Sequence, residues 1–98
     1  MIITKNQNEA VLELALNGRL DTTTAPELEK VLRSDLEGVS ELTLDFAGLD
    51  YISSAGLRVL LSTQKVMNKQ GSMTVKNVNE TIMEIFEVTG FADILTIV

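Results

Sequence analysis

Two kinds of apolar spacing alternate along this chain, and their order leaves few folds open. Stretches with every second residue apolar read as strands; stretches with apolar residues three and four apart read as helices. Residues Ile2 to Lys5 form a short apolar start, and Asn6-Gln7-Asn8 reads as a turn. Leu12, Leu14 and Leu16 then alternate with Val11, Glu13 and Ala15. Two strands across a polar turn predict an antiparallel hairpin. Asn17 to Asp21 is expected to leave the second strand as a loop. Thr24 and Glu27 have capping-box spacing, with Thr24 as N-cap and Pro26 in the first turn, where its missing N–H costs nothing. Leu28, Val31, Leu32 and Leu36 form the apolar stripe of this first helix, and Gly38 is expected to stop it.

Leu42, Leu44 and Phe46 predict a third strand, followed by a turn at Ala47-Gly48-Leu49-Asp50. A second helix is expected to begin at Ser53 or Ser54, carry Leu57, Val59, Leu60, Leu61, Gln64 and Met67, and end at Gly71. Lys65 and Lys69 lie near its end, where the helix dipole favours cations. Met73, Val75 and Val78 suggest a fourth strand. Asn79 is expected to cap a third helix with Ile82, Met83, Ile85 and Phe86 inside and Gly90 at its end, and Ile94 to Val98 reads as a last short strand. The order β-β-α-β-α-β-α-β implies right-handed crossovers and a largely parallel sheet with an antiparallel edge. The expected fold is a single α/β domain over residues 1–98, with a mixed four- to five-stranded sheet and three or more helices.

Composition narrows the chemistry. The chain has 98 residues, 14 acidic and 8 basic, for a formal net charge of −6. No basic stripe is present to displace counterions, so direct nucleic acid binding is not expected. The longest apolar runs are a few residues, against roughly 20 needed to cross a bilayer, and no signal peptide is recognised. The chain has no cysteine and no histidine. That excludes thiol catalysis, disulfides, the usual zinc sites and the commonest general base at neutral pH. The absence of cysteine fits a cytoplasmic protein. No metal and no cofactor are expected: Asp21, Asp45 and Asp50 read as turn formers, and Walker and Gly-x-Gly-x-x-Gly loops are missing. Asn79-Glu80-Thr81 matches a glycosylation sequon, which has meaning only in a secreted chain.

The stretch richest in chemistry is Tyr51-Ile52-Ser53-Ser54-Ala55-Gly56-Leu57-Arg58-Val59. It delivers two hydroxyls to the start of a helix, the end that attracts negative charge. Ser53 suits the N-cap, accepting from the N–H of Ala55 or Gly56. Ser54 then takes the first helical position with its hydroxyl free. Glycine inside a helix costs about 1 kcal/mol relative to alanine. Gly56 therefore reads either as permissiveness near a helix end or as a place where a partner approaches the backbone closely. Serine hydrolysis is disfavoured, because Gly-x-Ser-x-Gly and any histidine are absent.

The segment from Tyr51 to Leu61 resembles the signature of the STAS domain family, the bacterial anti-sigma factor antagonists. Gly18-Arg19-Leu20-Asp21 is similar to the family's Gly-x-Leu-Asp segment. Leu42 to Phe46 with Leu49, Tyr51 and Ile52 is similar to its third strand, and Gly90 to Leu95 to its closing segment. The resemblance implies a non-enzymatic switch. An anti-sigma factor serine kinase is bound by the unphosphorylated antagonist and phosphorylates it, and a metal-dependent phosphatase of the PP2C type resets it. Carried over by position, Ser54 is the phosphate acceptor and Asp21 the acidic residue near the kinase contact. Many members have Asp immediately before the acceptor; here it is Ser53, which stands as the alternative acceptor. The expected partner surface is Asp21, Thr22, Thr23 and Thr24 together with Ser53, Ser54, Gly56 and Arg58, because both segments border strands at one edge of the sheet. The alternative reading is an interaction subunit of a transporter or signalling assembly that is never phosphorylated.

Overall fold

The leucines at every second position of the second strand are the base on which the molecule is built. In a computed structural model describing residues 1–98, β1 (Ile2–Asn8) and β2 (Val11–Leu20) form an antiparallel hairpin that pairs Ile3 with Leu16 and Asn8 with Val11. Leu12, Leu14, Leu16 and Leu20 are fully buried. β3 (Glu41–Ile52) lies parallel to β2, with Leu42 beside Leu12 and Leu44 beside Leu14. β4 (Ser72–Lys76) and β5 (Thr96–Ile97) continue the parallel series, and the sheet order is β1-β2-β3-β4-β5. Successive parallel neighbours joined by right-handed crossovers send every connection over the same face. There α1 (Ala25–Asp35), α2 (Ser54–Gln70), α3 (Glu80–Thr89) and the short α4 (Phe91–Ile94) cover the leucines. The core is one cluster of 23 buried apolar residues in which Phe46 and Phe86 meet at 6.4 Å between ring centroids.

The other face carries Glu13, Thr43, Asp45, Thr74 and Lys76, all half-buried and polar. Lys76 Nζ reaches Glu13 Oε1 at 2.8 Å across β3, which holds its ammonium above the ordinary lysine range. Asn77 donates to Asp45 Oδ1 at 2.9 Å, and this bond, followed by that from the Ala47 N–H, holds the Asp45 carboxyl below the ordinary 3.8. Parallel strands usually have helices on both faces; here only one face is apolar enough to need them.

Several element boundaries differ from the sequence reading. The first turn is not Asn6 to Asn8: β1 continues to Asn8 because each of its residues pairs with β2, and Glu9 and Ala10 form the turn, Glu9 at φ 56°. Asn17 to Leu20 is strand, not loop. Ala47 to Asp50 is no turn either, since β3 continues to Ile52 against that same extension of β2. The pairing slips twice, between Ala15 and Asn17 and between Gly18 and Arg19. Each slip leaves β3 with one residue more than β2, as in a bulge. The buried positions of β3 accordingly pass from every second residue (Leu42, Leu44, Phe46) to every third (Leu49, Ile52). α1 ends at Asp35 with Leu36 as C-cap, before Gly38, and Leu36 and Val39 both turn into the core. Val78 lies beyond β4, and the segment from Ile94 to Val98 is strand only at Thr96–Ile97.

Candidate functional site at the starts of two neighbouring helices

α1 and α2 begin side by side because β2 and β3 end side by side. Leu20 pairs with Ile52, and the Ser53 N–H donates to the Leu20 carbonyl at 2.8 Å, which ties the start of α2 to the end of β2. Ser53 is extended, with φ −98° and ψ 175°, and is the N-cap of α2. Its Oγ accepts from the Gly56 N–H at 3.4 Å and its carbonyl from the Leu57 N–H at 2.9 Å. Ser54 is the first helical residue. It is exposed, and its hydroxyl makes no hydrogen bond within the protein.

The start of α1 is built differently. Thr24 occupies the N-cap position, but its backbone is helical (φ −98°, ψ −22°) and its side chain does not cap, so the capping box with Glu27 is not made. Its hydroxyl instead donates to the Arg19 carbonyl at 2.8 Å and accepts from the Asp21 N–H at 2.8 Å. Asp21 supplies the acceptor. Its Oδ1 takes the Thr23 hydroxyl at 2.8 Å and the N–H groups of Thr23 and Thr24 at 3.0 and 3.2 Å. The Thr23 hydroxyl is the main reason the carboxyl lies below the ordinary 3.8. Oδ2 faces Arg19 Nε at 3.8 Å. The Arg19 guanidinium stacks over the Tyr51 ring, 4.6 Å from its centroid. Sequence reasoning missed this pair. Its signal lies in strand register, since the second slip places Arg19 opposite Tyr51.

The expected partner surface is thereby divided. Asp21, Thr22, Thr23, Thr24, Ser53 and Ser54 lie together at one end of the sheet. Arg58 is one turn into α2, exposed, with no carboxylate partner, and borders a groove of about 270 Å³ between α1 and α2. Gly56 does not belong to that surface. It is buried, and a Cβ there would stand 2.7 Å from Leu20 Cγ and 2.8 Å from Ile52 Cγ1. The close approach it permits is that of this protein's own strands. Asp21, Asp45 and Asp50 are not gathered into a group able to hold a metal ion. No helix is long and apolar enough to cross a membrane.

Comparison with known proteins agrees with this architecture. The family model described as the STAS domain matches residues 3–98. The anti-sigma-B factor antagonist of Bacillus subtilis (strain 168) is 33% identical over 92 residues, covering 93% of this chain and 84% of that protein. Among solved structures, the fold is similar to the anti-sigma factor antagonist SpoIIAA in its unphosphorylated form, with TM-score 0.78, 14% identity, and 99% of this chain and 87% of that one covered. It is similar to the phosphorylated form of the Bacillus cell fate determinant SpoIIAA to the same degree, with TM-score 0.77, 15% identity and coverage of 99% and 91%. On the family match over residues 3–98 and the 33% identity to a relative over 93% of this chain, the chain belongs to the STAS domain family, among the anti-sigma factor antagonists, which are regulators and not enzymes.

Proposed function

We propose that this protein is an anti-sigma factor antagonist that binds its anti-sigma factor serine kinase when unphosphorylated, and that a phosphate on Ser54 releases it. The observation that carries this reading is the division of labour between the two serines. Ser53 is engaged as the helix cap, while the Ser54 hydroxyl is exposed and unbonded beside the Asp21 loop. Phosphorylation adds about −1.5 to −2 charges and three acceptor oxygens. At a helix N-terminus, free N–H groups can donate to those oxygens and stabilise the charge without refolding. Near-equal likeness to an unphosphorylated and a phosphorylated relative is in keeping with such a local change. The same charge in a protein–protein contact has to be desolvated, and a penalty of a few kcal/mol changes affinity a hundredfold or more. A metal-dependent phosphatase of the PP2C type would reverse the modification, with the protein acting in the cytoplasm.

Incubation with the kinase and ATP, followed by fragmentation mass spectrometry, tests the assignment. Phosphate on Ser54, and none on Ser54→Ala, is the expected result. Phosphate on Ser53 would move the acceptor by one residue. If neither serine is modified by a kinase that does bind, the reading as an unphosphorylated interaction subunit takes its place.

A further inference from the structure

The groove beside Arg58 does not stop at the start of the helices. It shares Glu29, Val59 and Ser62 with a second cavity of about 500 Å³ that continues between α1 and α2 to Leu36 and Gln70. The combined groove follows α1 from Ala25 to Leu36, about 17 Å at 1.5 Å per residue, the length of three helical turns. Of its apolar lining, Leu32, Leu36 and Val59 form a buried floor and Val66, 43% exposed, offers the open apolar surface. Its charges have a simple pattern. Glu29 and Arg33 neutralise each other at 2.6 Å. That leaves one unpaired cation, Arg58, at the Ser54 end and one unpaired anion, Glu37, at the other. Arg58 also lies four residues after Ser54 on the same helix, so their side chains are neighbours.

We infer that this groove receives an amphipathic helix of the partner kinase, apolar face down, with an acidic residue toward Arg58 and a basic residue toward Glu37. The inference rests on the antagonist reading above and extends the contact well beyond the loops. It also supplies a second arm for the switch. A phosphate on Ser54 pairs with the Arg58 guanidinium one turn away, withdrawing it from the partner's carboxylate while repelling that carboxylate directly.

The test is calorimetric titration of the cognate anti-sigma factor kinase into the parent chain and into Val66→Lys, Glu37→Lys and Arg58→Glu, with thermal melts as controls. Val66 and Glu37 lie far along the groove from Ser54. Val66→Lys is expected to weaken binding about tenfold or more, because it places a charge under an apolar contact. The two rim reversals should each cost about threefold or more and become more severe at low salt. In a kinase titration followed by amide resonances, Leu32, Leu36, Val66 and Gln70 should shift along with the loops. Parent-like binding by Val66→Lys, or shifts confined to residues 21–24 and 53–58, would overturn the groove and leave the antagonist reading intact. A kinase that ignores the parent chain altogether would overturn both. A dimer of the free chain that Val66→Lys abolishes would assign the groove to a second copy, against the inference.

Discussion

The two helix starts stand side by side, each following a parallel strand and each carrying consecutive hydroxyl residues, yet they differ in how many of their polar groups are bonded within the protein. At α1 the loop closes largely on itself: the Asp21 carboxylate and the hydroxyls of Thr23 and Thr24 are bonded within residues 19–24, and the exposed Thr22 hydroxyl alone has no partner within the protein. At α2 a single weak cap from Ser53 suffices, and the next hydroxyl is free. Two adjacent loops rich in the same groups thus divide into a mostly self-bonded loop and an open serine hydroxyl. The lesson is that a polar cluster identifies a site only after its internal bonds have been subtracted.

The largest effect that would break this comparison comes from below. Leu20, fully buried, lies against Gly56 under the start of α2, so Leu20→Ala should destabilise the protein by about 2–5 kcal/mol in denaturant titration. Gly56→Ala forces a methyl against Leu20 and Ile52. Overpacking of about 1–3 kcal/mol outweighs a gain of about 1 kcal/mol in helix propensity. In the double variant the two losses should not add, because the methyl enters space that the leucine has vacated. Strict additivity would mean that Gly56 does not pack on Leu20.

A smaller loss is expected from Ser53→Ala, about 0.5–1 kcal/mol, because the hydrogen bond it removes is long at 3.4 Å. A loss of 2 kcal/mol would show a stronger cap than the geometry describes. The start of α1, unlike that of α2, should also respond to acid. Asp21 has a depressed pKa, so its contribution is complete above the ordinary 3.8 and declines as pH falls through the lower, folded-state value. The amide resonances of Thr23 and Thr24 should therefore titrate with a midpoint below 3.8, while that of Gly56, whose cap is not ionisable, should not. A midpoint at or above 3.8 would contradict the bonded loop. The smallest effect on stability belongs to Ser54→Ala, about 0.5 kcal/mol or less in a thermal melt. That variant should bind the kinase like the parent and resist ATP-dependent release.

Much of this could be read from residue spacing. The Ser53 cap and the start of α2, the Asn79 cap whose Oδ1 accepts from Ile82 N–H at 2.8 Å, and the left-handed Gly90 ending α3 each depend on interactions within a few residues, and each agrees with the sequence reading. The Thr24 cap failed although its motif is equally local, because its hydroxyl is engaged by the Arg19 carbonyl and the Asp21 N–H, while the Glu27 N–H donates to the Thr24 carbonyl. The Ala47-Gly48-Leu49-Asp50 turn failed for a longer-range reason. Its composition is that of a turn, but the end of β2 provides a pairing edge for it, and Gly48 makes room for the Asn17 side chain. The partner assigned to Gly56 failed similarly, since a helical glycine shows in sequence that something comes close without showing what.

By itself, then, the sequence determined the order of the five strands and three longer helices, though not the short α4, together with the parallel sheet with its antiparallel edge and the serine pair at the start of α2, because periodicity and capping are properties of neighbouring residues. Only the tertiary structure decided that β2 and β3 run on as paired, bulged strands, that Arg19 meets Tyr51, that Gly56 packs inward, and that a groove open from Ala55 to Gln70 lies between α1 and α2. Those features depend on register and on the spacing between helices. Both are set by how residues distant in the chain share the burial of the same leucines, and no single segment contains that information.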